Sequence, residues 1–194
     1  MDTPQNLIVI GDELAAGAGD PRALGWVGRV MARTQAAREV QTFTLAVPNE
    51  TSIDLADRWE EEAARRCTKG AINRLLIGMG SADIAAGLTS PRSRLSLANI
   101  LDKAAGANMP CFVVGPPPLP AVESTGLAKL NHALEDVCSR RSVTYVDTFT
   151  PLSTHDGWLS EVNQSPTGLP GQVGYGLLAW LVLHSGFGSW IGTE

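Results

Sequence analysis

The chain has 194 residues, 44% of them hydrophobic, enough for one α/β domain with a sizeable core that needs no disulfide or metal staple. A net charge of −5 at pH 7, with Lys and Arg scattered rather than clustered, argues against a phosphate-tracking surface and hence against nucleic acid as a partner. Cys67, Cys111 and Cys138 are odd in number, widely spaced and without a CxxC pair, so neither a disulfide framework nor a zinc site is implied.

The chain starts MDTPQNLIVIGDE, with an acidic second residue and a short apolar run. That is neither a secretory leader nor a membrane anchor, so a reducing, cytoplasmic location is expected. Leu7–Ile10 reads as a first strand, followed by strands at Val40–Leu45, Arg74–Gly78, Cys111–Val114 and Val143–Val146. Helical periodicity falls near residues 24–37, 52–66, 92–106 and 124–140, and a last helix runs from beyond Pro170 to about His184. The apolar stretch Leu177–Leu183 is too short to span a bilayer and reads as a helix packed on a sheet. Strands alternating with helices predict a three-layer αβα sandwich around a five-stranded parallel sheet, as a single domain over residues 1–194.

Most strands end in loops rich in Gly, Pro or Asp: GDELAAGAGD, GMGSAD, GPPPLP and DTFTPL. In open α/β sheets ligands bind beyond the carboxyl ends of the strands, so the site is expected among these loops. Gly11, Gly17, Gly19, Gly78 and Gly80 suit tight exits from strands, and GAGD lacks the full GxGxxG spacing of a nucleotide loop. The five tryptophans, Trp26, Trp59, Trp158, Trp180 and Trp190, read as core packing. The tail GFGSWIGTE exposes Phe187, Trp190 and Ile191 unless something covers them, which predicts a homodimer contact.

The blocks appear in a telling order. The first strand followed by GDELAAGAGDPRALGWVGRV resembles the opening block of the GDSL or SGNH acylhydrolases, where a Gly-Asp-Ser-Leu turn presents a serine nucleophile. LAVPNETSIDLADRW resembles their second block, which lends a glycine amide to the oxyanion hole, and LLIGMGSADIAAG the third, which lends an asparagine side chain. LPGQVGYGLLAWL resembles the region after the Asp-x-x-His turn that carries the acid and base. The resemblance covers almost the whole chain and implies a flavodoxin-like SGNH hydrolase fold.

The same resemblance puts Glu13 at the nucleophile, Asn49 at the block-two glycine, Ala82 at the block-three asparagine, Leu169 at the histidine and Pro166 at the aspartate. A serine hydroxyl needs an imidazole oriented by a carboxylate to become a nucleophile, and none of the three is present at these positions. Ala82 donates nothing to an oxyanion, whereas the Asn49 backbone N–H survives if Asn tolerates positive φ. The implied function is a hydrolase-fold protein that has lost ester hydrolysis and serves as a binding or interaction module for a small molecule or a protein. The alternatives are an esterase on small acyl esters with a rewired site, built from Ser81 with His155 or from Glu13 with a metal, and a regulatory subunit of an active relative. His155-Asp156 otherwise reads as an exposed loop pair, and His132 and His184 as surface or helix-end residues.

Asp12, Glu13, Glu50 and Asp83 gather on the loops after the first three strands, where carboxylates can hold Mg²⁺ or Ca²⁺. Asp12, Glu50 and Asp83 match residues of active relatives and read as loop-ordering acceptors. The favoured expectation is therefore no metal and no cofactor, with Glu13 accepting amides from the following helix N-terminus and plugging the oxyanion pocket. The pocket set is Asp12, Glu13, Asn49, Glu50, Ser81 and Asp83.

Overall fold

A computed structural model describes residues 3–193, so the acidic Asp2 lies outside the described residues. Five parallel strands, β1 (Gln5–Gly11), β2 (Val40–Ala46), β3 (Ile72–Gly78), β4 (Cys111–Val114) and β5 (Thr144–Val146), form one sheet in the order β2-β1-β3-β4-β5. Gly11 sits opposite both Ala46 and Gly78, and Val114 opposite both Gly78 and Val146. All five strands therefore end level, and the loops that leave them share one edge of the sheet.

Every residue of β1 is buried, as expected of a central strand covered on both faces. Its side chains alternate. Leu7 and Val9, with Leu76 and Phe112, face one layer; Ile8 and Ile10, with Leu75 and Ile77, face the other. The first layer is α2 (Gly25–Arg33), α8 (Asp156–Gln164) and α9 (Gln172–Val182), which bring Trp26, Trp158, Tyr175 and Leu178 onto the sheet. The second is α3 (Ser52–Ala64), α5 (Ser90–Gly106) and α6 (Ser124–Ser139), which bring Leu55, Trp59, Leu97, Leu101 and Leu130. Burying each such side chain stabilises by about 1.5–3 kcal/mol, so the αβα sandwich follows from two apolar faces that both need cover. Among the described residues no helix is long and apolar enough to cross a membrane.

Five short helices escape the sequence reading: α1 (Glu13–Ala16), α4 (Ser81–Ala85), α7 (Phe149–Leu152), α8 and α10 (Gly188–Ile191). His155-Asp156 is no loop pair. His155 caps α8, its Nδ1 accepting the Trp158 N–H at 3.4 Å, and Asp156 is the first helical residue. The apolar residues Trp158, Leu159 and Val162 already carried the helical spacing, and Trp158 is fully buried with its Nε1 donating to Pro118 O at 2.7 Å.

The tail also differs. Phe187 and Ile191 are fully buried because Ser185 and Gly186 leave helical geometry, Gly186 at φ 88°, and turn α10 (Gly188–Ile191) back over the sheet. Phe187 meets Phe112 edge-on at 5.6 Å, and Trp190 lies 5.2 Å from the same ring. The chain covers these residues itself, which removes the ground for a dimer contact there. Trp180 is the one tryptophan that is not packed in, 54% exposed and stacked on His184 at 4.1 Å.

Candidate functional site

The level strand ends allow no slack where β1 leaves the sheet. A Cβ on Gly11 would lie 1.9 Å from Gly78 O, so only glycine fits between β1 and β3. The chain then turns through Asp12, which caps α1 by accepting the Leu14 N–H at 3.0 Å. Asp12 is buried, and that burial, reinforced by the charge of Glu13, pushes its carboxyl up to about 7.

Glu13 follows as the first residue of α1. Its Oε2 accepts the backbone N–H of Asn49 at 2.7 Å, across the gap between the loops after β1 and β2. Asn49 adopts the left-handed conformation, φ 58°, which aims this N–H at the first loop. The expected donor was the N-terminus of the helix that follows Glu13. Asp12 already occupies those amides, leaving Glu13 to reach outward to the neighbouring loop.

The Asn49 loop is itself held from both sides. Val47 N–H donates to Gly11 O at 2.9 Å, and Glu50, buried, pairs with Arg58, whose Nη2 also donates to Leu45 O at 2.8 Å. Asp83, fully buried in α4, accepts the Ser52 N–H at 2.7 Å at the start of α3. Asp12, Glu13, Glu50 and Asp83 thus each serve a different partner. Among the described residues no group of three or more His, Cys, Asp or Glu is placed to hold a metal ion.

Above these loops lies a pocket of about 520 Å³, within the usual range for small-molecule sites. Glu13, Asn49, Ser81, Ala82 and Leu169 all line it, so the structure brings together five of the positions singled out in the sequence. Pro166 does not line it and is exposed on the loop leading to Leu169. Leu119 and Val122, from the loop after β4, and the exposed Thr167 also line it. Ser81 Oγ is buried and has no hydrogen-bond partner. His155 caps α8 and shares no hydrogen bond with it, so the postulated Ser81–His155 pair is not assembled. None of His132, His155 and His184 lines the pocket.

Two supports of the site were not read from the sequence. Asp20 accepts the N–H groups of Arg22, Leu24 and Gly25 at 2.9–3.1 Å and pairs with Arg29, fixing the loop between α1 and α2. Arg29 beside it holds the Asp20 carboxyl well below the usual carboxylate range. Glu161 of α8 accepts the N–H groups of Gly171, Val173 and Gly174, supplying the cap that Gly171 lacks at the start of α9. Tyr175 of that helix then donates its hydroxyl to Ala18 O at 2.6 Å, tying α9 to the first loop.

The model of the GDSL-like lipase/acylhydrolase family matches residues 9–177, from within β1 into α9. The chain belongs to that family. Among solved structures, the lipase/acylhydrolase from Enterococcus faecalis superposes with a TM-score of 0.77 at 20% identity, over 95% of this chain and 96% of that one. An acetylxylan esterase from Geobacillus stearothermophilus gives 0.74 at 16% identity, over 97% and 94%. A lipolytic G-D-S-L protein from Veillonella parvula gives 0.73 at 16%, over 93% and 97%. At these identities the likeness establishes the shared fold. No curated protein matches the chain.

Proposed function

We propose that this GDSL-family chain has lost ester hydrolysis by the family's mechanism and uses its loop pocket to bind a small molecule. The observation that carries the reading is the Glu13–Asn49 hydrogen bond. By the resemblance, Glu13 stands where the nucleophilic serine is carried and the Asn49 amide where the oxyanion is received, so a side-chain anion occupies the place of the reaction's own anion. Acyl transfer there would need a hydroxyl, a base and free donors. Glu13 supplies no hydroxyl, Leu169 accepts no proton, and Ala82 donates no hydrogen bond. A carboxylate attacking an ester itself would set its charge against the developing oxyanion.

Removing one oxyanion donor alone costs about 10²–10³ in turnover, and removing nucleophile and base costs far more. Purified protein assayed on p-nitrophenyl acetate and butyrate is expected to show the buffer rate and no fluorophosphonate labelling. A robust rate that Glu13→Ala abolishes would overturn the proposal.

One observation favours a second reading, an esterase with a rewired site: the partnerless Ser81 hydroxyl in the pocket wall. It lacks a base, since no histidine lines the pocket. Fluorophosphonate labelling lost in Ser81→Ala would establish that reading.

A further inference from the structure

The pocket's polarity goes further and names the class of ligand. This step rests on the binding reading above. Among the described residues that line the pocket, Glu13 alone is ionisable, and no Lys, Arg or His stands opposite it. Its Oε2 is engaged by Asn49, while Oε1 has no protein donor. A carboxylate has about four lone-pair sites, so most of its accepting capacity is uncommitted. The apolar lining is Leu119, Val122 and Leu169 together with Ala82, Ala85 and Ala86. Of the other polar side chains in the lining, Asn49 and Thr167 are exposed, and Ser81 Oγ is buried and unpartnered.

We propose that the pocket binds small protonated amines with an apolar body, the ammonium hydrogen-bonded to Glu13 Oε1 and the carbon chain lying between Leu119, Val122 and Leu169. Three arguments converge on this class. A half-buried carboxylate against apolar walls lacks a counter-charge, and an ammonium provides it through charge-assisted hydrogen bonds. An ammonium has three donors and no acceptor, so it matches the acceptor-only Oε1 of Glu13. Anionic ligands such as fatty acids, the product class of an acylhydrolase, meet like charge from Glu13 and find the Asn49 amide already taken. The buried Asp12 behind Glu13 adds to the negative potential whenever it ionises. The site is thus inverted relative to one that receives an oxyanion: it presents an anion and asks for a cation.

The test compares n-hexylammonium with n-hexanoate, two ligands of equal length and opposite charge, by isothermal titration calorimetry on the full chain at pH 8. Hexylammonium is expected to bind at least about tenfold tighter, a difference of about 1.4 kcal/mol. In Glu13→Gln this preference should collapse to within about threefold, and Ala85→Trp, which fills the cavity from its exposed side, should abolish binding of both. Equal or tighter binding of hexanoate to the wild type, or an ammonium preference that survives in Glu13→Gln, overturns the proposal. Should Glu13→Gln fail to fold, the wild-type comparison and Ala85→Trp decide alone, and undiminished binding to Ala85→Trp overturns the location. The ester assay is read separately: turnover with an intact ammonium preference overturns the loss of hydrolysis only, whereas no turnover and no preference overturns the ligand class only.

Discussion

Glu13 and Asn49, 36 residues apart in sequence, meet through one hydrogen bond of 2.7 Å that bridges the loops after β1 and β2. A hydrogen bond to a partly solvated carboxylate contributes about 1 kcal/mol, so its loss should speed local exchange roughly fivefold. Amide hydrogen exchange read by NMR is expected to show the Asn49 N–H less protected in Glu13→Ala and still protected in Glu13→Gln, whose side-chain oxygen keeps the acceptor. Equal protection in all three would mean that the bond does not hold the loop.

Asp12 predicts an unusual dependence of stability on pH. Its carboxyl, raised in the folded chain from 3.8 to about 7, binds more protons folded than unfolded between those values. The stability it contributes is fully present below pH 4 and is lost as pH rises through 7. In Asp12→Asn the side-chain oxygen still caps Leu14, so only the titration disappears. Urea unfolding should show the variant gaining on the wild type from pH 4 to 7, by up to about 4 kcal/mol at 1.4 kcal/mol per pKa unit. A constant difference across that window would refute the assignment.

Asp20 slopes the other way. Its carboxyl is held low by Arg29, so its contribution is present above the ordinary carboxylate range and is lost as pH falls below it. Asp20→Ala strands three loop amides and the guanidinium of a largely buried pair, and should destabilise by about 3–5 kcal/mol at pH 7. The check is the urea midpoint at pH 7 and again at pH 3, where the gap between wild type and variant should narrow.

Phe187→Ala should cost about 3–5 kcal/mol, since the ring is fully buried edge-on against Phe112. Trp180→Ala, at a side chain 54% exposed, should stay within about 0.5 kcal/mol of the wild type. Chemical denaturation of the two variants side by side separates a tail that is part of the core from one that only trails over it.

These residues also mark what the sequence could and could not convey. The strands were legible because a buried parallel strand must be a short apolar run, and Cys111–Val114 was read with the boundaries the structure has. The pocket-lining positions Glu13, Asn49, Ala82 and Leu169 were legible because their blocks keep their order along the chain. What joins Glu13 to Asn49 was not, since the geometry of two loops, and the prior claim of Asp12 on the α1 amides, leave no periodicity to read. Helix α8 was masked by its polar entrance, and the burial of Phe187 and Ile191 hung on a kink at Ser185 and Gly186 that local composition does not encode.

The fold-back of the tail also has a consequence for how the chain is made. Phe112 in β4 gets part of its cover from Phe187 and Trp190, and Gln5 at the start of β1 donates to Ile191 O at 3.1 Å. During synthesis, therefore, Phe112 stays without this part of its cover until some 75 further residues have left the ribosome, while α2, α8 and α9 cover the rest of that face. Until then the Phe112 ring waits for the edge-on contact that completes its packing.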